Sequence, residues 1–193
     1  MRMFFAPAHL FSLFFLIAFL GDIAVAQQTQ EDYTDPAVQH EQLAKYQGKW
    51  QVALSMGSGD DALKFDGTAT SEMTIGGRFL QIDYETKSGP QPMNGTFILG
   101  FDRRNSTYQL ISMDSWGTYI LSASGKRQGE DTIKLTAKDD DPLYKSMGFE
   151  KVFAYTVTFT GKDQFSIDVY LVDNRTEKKS EIRAMAYTFT HKK

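Results

Sequence analysis

The 193-residue sequence contains no cysteine. That absence excludes disulfide staples, zinc–thiolate sites and cysteine nucleophiles together. Proline is scarce at five residues, and neither sign of charge prevails, with 21 Lys and Arg against 24 Asp and Glu. A net charge of −3 invites neither nucleic acid nor anionic lipid as a partner. Long apolar runs are missing as well, with one exception at the start.

That exception is Leu10 to Leu20, preceded by the single cation Arg2 and followed by Ala24-Val25-Ala26 before Gln27. The pattern matches a secretory signal peptide with an A-x-A cleavage site. The run ends at Gly21-Asp22 and falls short of the roughly 20 residues that span a bilayer. The expectation is a signal peptide over residues 1–26, a secreted or periplasmic protein, and no membrane span after cleavage. A flexible leader is expected over 27–35, and one domain over 36–193.

What is present is period two. Trp50, Val52, Leu54 and Met56 alternate with Lys49, Gln51, Ala53 and Ser55, and Leu63, Phe65, Gly67, Ala69, Ser71, Met73 and Ile75 alternate with polar neighbours. Strict alternation marks half-buried strands. Further strands are expected around 78–86, 96–102, 107–114, 118–123, 132–138, 152–160, 164–172 and 181–190. One short helix precedes them, with Asp35 as N-cap, Pro36 in its first turn, a stripe of Val38, Leu43 and Tyr46, and a stop at Gly48. About ten sequential antiparallel strands close most economically into an up-and-down barrel. The expected fold class is therefore all-β, a single closed lipocalin-like (calycin-like) barrel with one N-terminal helix.

Register is legible in two places. Reading Ile75-Gly76-Gly77-Arg78 as a two-residue hairpin makes paired residue numbers sum to 153. Met73 then faces Leu80, Ser71 faces Ile82 and Ala69 faces Tyr84 on an apolar side. Glu72–Gln81, Thr70–Asp83 and Thr68–Glu85 form a polar side, and a slip of one residue would invert both. Likewise a loop over 103–106 pairs Phe101 with Tyr108, Leu99 with Leu110 and Phe97 with Ser112, and leaves Asp114 on the inward face.

These residues carry a resemblance. Gly76-Gly77-Arg78-Phe79-Leu80, Gly95, Gly100-Phe101-Asp102, Tyr108, Asp114-Ser115 and Gly117-Thr118, with HEQLAKYQGKW at 40–50, resemble the bacterial domain-of-unknown-function family numbered 1579. The similarity runs from about His40 to Lys193, with Phe101 where the family more often has tyrosine. The resemblance implies a lipocalin-like barrel and carries over no functional residue.

Candidate ligand contacts are Arg78, Tyr84, Asp114, Trp116 and Arg183. Arg78 is either an anchor for a carboxylate or phosphate or a rim residue reaching water. An inward Asp114 needs a partner, for which Arg78 is one candidate, unless Asp114-Ser115 serves only the turn before Gly117. Arg183 shares a face with Met185, Tyr187 and Phe189, while Ile182, Ala184 and Ala186 compete for the interior. Leu143, Tyr144, Met147 and Phe149, in the longest break between strands, form either a lid over one barrel end or a helix plugging the core. No metal or cofactor is expected. His191 is the one alternative, a haem ligand of the kind the similar nitrobindin barrel suggests, against plain solvation beside Lys192-Lys193. Small residues Gly67, Ala69 and Ser71 on an inward face hint at internal space, or equally at strand bending. The expected function is binding of a small apolar or amphipathic ligand in the barrel. The alternatives are an enzyme with a barrel-mouth site around Asp114, Ser115 and Arg78, and a solid-core structural or partner-binding protein.

Overall fold

The computed structural model describes residues 33–87, 91–173 and 180–192. The expected signal peptide lies outside them, as does most of the leader. Among the described residues ten strands follow a short helix, α1 (Val38–Ala44). They are β1 (Gly48–Met56), β2 (Leu63–Thr74), β3 (Phe79–Thr86), β4 (Asn94–Asp102), β5 (Thr107–Asp114), β6 (Leu121–Gln128), β7 (Thr132–Asp139), β8 (Lys151–Phe159), β9 (Gln164–Asp173) and β10 (Ser180–His191). A second helix, α2 (Pro142–Ser146), sits between β7 and β8. Each strand pairs antiparallel with its sequence neighbour, and β1 pairs with β10, so the sheet closes as an up-and-down barrel without an edge.

Both expected registers hold. Met73 pairs with Leu80, Ser71 with Ile82 and Ala69 with Tyr84, and Phe101 with Tyr108, Leu99 with Leu110 and Phe97 with Ser112. The turn between β2 and β3 is longer than a two-residue hairpin, however. Ile75 to Arg78 form a four-residue loop in which the Thr74 carbonyl accepts from the N–H groups of both Gly77 and Arg78, each at 3.1 Å. Ile75, Gly76 and Gly77 all adopt positive φ, at 49°, 64° and 80°. Two consecutive glycines carry most of that left-handed path at little steric cost. Ile75 consequently leaves the concave face and is 72% exposed.

The helix differs from expectation at its start. Its N-cap is Ala37, not Asp35, and the His40 side chain reaches back to accept the Ala37 N–H at 2.9 Å. His40 and Leu43 are its buried residues, whereas Val38 is exposed. A third difference concerns β6, expected over 118–123. The apolar residues Tyr119 and Ile120 resemble a strand in sequence but stand exposed in a loop, and the strand runs on through Gly125 to Gln128.

The two barrel ends are unlike. At the helix end the loops are short, covering 75–78, 103–106, 129–131 and 160–163. There α1 lies across the opening: His40 meets the Phe101 ring edge-on at 6.1 Å, and Tyr46 lies 4.4 Å from Phe159. Beneath it Trp50 meets Phe165 edge-on at 4.9 Å, and Phe165 stacks on Phe189 at 4.4 Å. Trp50 Nε1 donates to Ser71 Oγ at 2.7 Å, and the Ser71 hydroxyl in turn donates to the Tyr46 carbonyl. Each such fully buried aromatic stabilises the fold by about 1.5–3 kcal/mol. Ser71 is thus a polar strut, not a sign of vacant space. Gly67 leaves none either, since a Cβ there would sit 2.0 Å from the Glu85 carbonyl oxygen. At the loop end the connections are longer, and the candidate site lies there.

Candidate functional site

Three strands bring Asp114 to the loop end. β5 begins at Thr107 beside the helix end and delivers Ser112 and Asp114, alternate residues on the inward face, at its far end. Asp114 pairs with Gly95, and Gly95 pairs with Tyr84 across β4. A Cβ on Gly95 would lie 2.6 Å from the Tyr84 hydroxyl, so the phenol occupies the volume a side chain at 95 would need. Tyr84 stacks on Phe97 at 5.6 Å, and its hydroxyl lies 3.3 Å from that of Tyr187. Tyr155, from β8, is also buried and is hydrogen-bonded to the Ser112 side chain.

Ser112, Asp114, Tyr155 and Tyr187 therefore line one small cavity of about 60 Å³, walled by Phe153, Val169 and Met185. Burial, together with the nearby Asp114 carboxylate, raises the pKa of all three tyrosines, Tyr155 to about 12. They are neutral phenols at any ordinary pH. Asp114 Oδ1 accepts the Trp116 N–H at 2.9 Å, so the turn-forming role expected of it is real. Ser115 Oγ likewise accepts the Asn94 N–H, at 3.2 Å. Trp116 leans over the mouth, its ring 6.0 Å from that of the buried Phe65.

A wider cavity of about 260 Å³ lies beside it, between α2 and the ends of β9 and β10. Its walls are Leu143, Tyr144, Met147 and Phe149 on one side and Leu171, Val172 and Ile182 on the other. α2 contributes no buried residue, so it roofs this space and does not plug the core. It is anchored by Lys151, whose ammonium bonds Asp139 at 3.0 Å and Asp141 at 2.9 Å. Burial opposes the charge on Lys151, but the two carboxylates outweigh it and raise its pKa. Asp141 also caps α2 by accepting the Leu143 N–H.

Apolar exposure is concentrated at this end. Leu63 opens β2, Trp116, Tyr119 and Ile120 come from the β5–β6 loop, Leu143, Met147 and Phe149 from the α2 segment, and Ile182 from β10; all are exposed. The helix end exposes Val38 and Ile75.

The remaining candidates lie elsewhere. Arg78 is at the helix end, level with Tyr108, six residues of strand or roughly 20 Å from Asp114 at about 3.3 Å per residue. It cannot serve as the partner of that carboxylate. Its guanidinium donates instead to the carbonyls of Ile75 and Gly76, at 3.2 and 3.1 Å, and stitches its own turn. Arg183 is exposed and pairs with Tyr170 on the outer face, because a bulge between Arg183 and Met185 switches the phase of β10. Both sequence readings of that strand are thereby half right: Met185, Tyr187 and Phe189 point in, while Arg183 points out. His191 pairs with Trp50 at the helix end, its ring 5.1 Å from the indole, and the interior beside it is filled by that indole. Among the described residues no three His, Cys, Asp or Glu side chains are grouped to hold a metal ion.

Ser112, Tyr155 and Tyr187 are not singled out as site residues by the sequence: alternation in 107–114 and 151–159 places Ser112 and Tyr155 inward, while the phase of Tyr187 is decided only by the bulge in β10. Arg127 was also missed. It follows Leu121, Ala123 and Gly125 on the inward phase of β6, and its guanidinium donates to the Tyr108 hydroxyl at 3.2 Å at the helix end.

The described fold is similar to that of one solved structure at low identity. The chain is similar to Rv2717c from M. tuberculosis, at 16% identity with a TM-score of 0.53, covering 82% of this chain and 100% of that one. A redesigned β-barrel aligns at 13% identity over 78% of this chain and 95% of its own, with a TM-score of 0.39. No curated protein matches the sequence. The family model described as a protein of unknown function, DUF1579, matches residues 35–190, which is most of the chain, and the protein belongs to that family.

Proposed function

We propose that this protein is an exported barrel that binds a small amphipathic ligand at its loop end. The observation that carries the reading is the asymmetry of the two ends. One is sealed by α1 over a close-packed aromatic core. The other presents exposed apolar side chains around a small cavity floored by phenols and a carboxylate. Scattered exposed apolar residues need no explanation, but a cluster rimming a concavity is the usual mark of a binding surface. The 60 Å³ cavity is far smaller than the roughly 300–1,000 Å³ of a typical small-molecule site, so it takes one end of a ligand. The 260 Å³ space under α2, walled by Leu171 of β9 and Ile182 of β10, takes the rest.

The signal-peptide pattern of residues 1–26 supports export. The test is a titration with Nile red, a neutral apolar dye, followed by fluorescence. Saturable binding near one dye per chain is expected. Absence of saturable binding by the folded protein would overturn the reading.

A further inference from the structure

From the loop-end cavity we infer that the polar end of the ligand is a cation, a primary ammonium group seated between Asp114 and the hydroxyls of Tyr155 and Tyr187. The inference deepens the ligand-binding reading above and rests on it.

Asp114 contributes the charge. Its carboxylate lies on the inward face and lines the cavity, and one of its oxygens is engaged by the Trp116 N–H. Among the described residues no cationic side chain makes an ion pair with it, and no Lys, Arg or His lines the cavity. Described cations on the neighbouring strands are committed elsewhere. Lys151 is held between Asp139 and Asp141, Lys138 is paired with Glu150, and Arg183 faces outward beside Tyr170. The negative field of Asp114 reaches the phenols, where it adds to burial in keeping all three protonated. A neutral phenol offers a hydroxyl oxygen as acceptor and the electron-rich face of its ring, both suited to an ammonium.

An anionic head group would enter this site against the Asp114 charge, with no described cation to receive it. A hydroxyl head group would bond the phenols but leave the carboxylate uncompensated. An ammonium satisfies both, since its three N–H donors match a carboxylate and two hydroxyls. The small volume admits a head group and not a chain. The chain would then run outward past Phe153 and Met185 toward Leu171 and Ile182 under α2. The ligand class is therefore an amphipathic primary amine, bound head inward.

The test uses dodecylammonium, dodecanol and dodecanoate, each below its micellar range, titrated into the whole protein at pH 7 by calorimetry. Dodecylammonium is expected to bind tighter than dodecanol by on the order of tenfold, the worth of one hydrogen-bonded charge, and dodecanoate weaker than both. In Asp114→Asn the ratio of ammonium to alcohol affinity is expected to fall to about one. Asparagine keeps a side-chain oxygen for the Trp116 N–H, so the turn is retained. A wild-type protein that binds dodecanol as tightly as dodecylammonium, or that prefers dodecanoate, overturns the inference while leaving ligand binding intact. So does a cation preference that survives Asp114→Asn. Failure to bind any of the three overturns both readings. Should Asp114→Asn not fold, the wild-type rank order decides alone.

Discussion

Tyr84 lies across Gly95, with its hydroxyl 2.6 Å from the point where a Cβ on residue 95 would stand. The Met113 carbonyl oxygen is equally close, so a methyl group has backbone on one side and a phenol on the other. Gly95→Ala is expected to cost about 1–3 kcal/mol through overpacking and to push Tyr84 away from Tyr187. Urea denaturation measures the first effect, and the near-ultraviolet signal of the tyrosines reports the second. Wild-type stability in Gly95→Ala would show that the strands part there more easily than described.

Ser71 is the polar link between Trp50 and the residue that ends the helix-end cap, Tyr46. Ser71→Ala leaves a buried indole N–H without its acceptor and is expected to destabilise the fold by about 1–3 kcal/mol. The accompanying change should be local: a shift in the fluorescence of Trp50, with ligand binding at the opposite end unaltered.

The α2 roof is expected to respond to pH from both sides. Hydrogen bonding to Lys151 lowers the Asp141 pKa below its ordinary 3.8. A lowered carboxylate pKa contributes stability that is present above the unfolded value and is lost as pH falls through the folded one. Lys151 is raised above 10.5, and its contribution is present below that value and lost as pH climbs through the folded one. The roof is therefore expected to be fully anchored between about pH 4 and pH 10.5 and to loosen outside that window. Amide exchange of residues 142–149 against pH checks this, and Lys151→Met should show the loosened state at pH 7.

Leu143 and Met147 are 63% and 52% exposed. Charged replacements there disturb no core, so Leu143→Asp and Met147→Asp are expected to change stability by less than about 0.5 kcal/mol. Each is nevertheless expected to weaken Nile red binding several-fold, because it places a carboxylate in the wall of the apolar cavity. Thermal denaturation and dye titration on the same preparations separate the two effects.

How far the sequence could carry these conclusions differs by element. Alternation across Thr68–Thr74 and Phe79–Glu85 determined face and register together, because a half-buried strand with one polar side tolerates no slip. The same logic failed at Ile75, where the chain had already left the sheet for a left-handed loop. It failed again at Tyr119 and Ile120, whose apolar side chains serve the mouth of the barrel and not a strand interior. Arg183 was ambiguous because a bulge puts two phases into one strand, and nothing local in Ile182 to Met185 announces it. Of the site, Asp114 and Tyr84 were legible as inward residues. The supposed pairing of Asp114 with Arg78 was not testable without knowing that the strands between them run the length of the barrel.

The central claim is that ligand enters the loop end and stops at the tyrosine floor, with the helix end closed. Amide and side-chain NMR shifts during titration with dodecylammonium test it most directly. Shifts confined to Ser112, Asp114, Tyr155, Tyr187, Met185 and the 142–149 segment are the expected result. Shifts centred on His40, Trp50, Arg78 or His191 would contradict it.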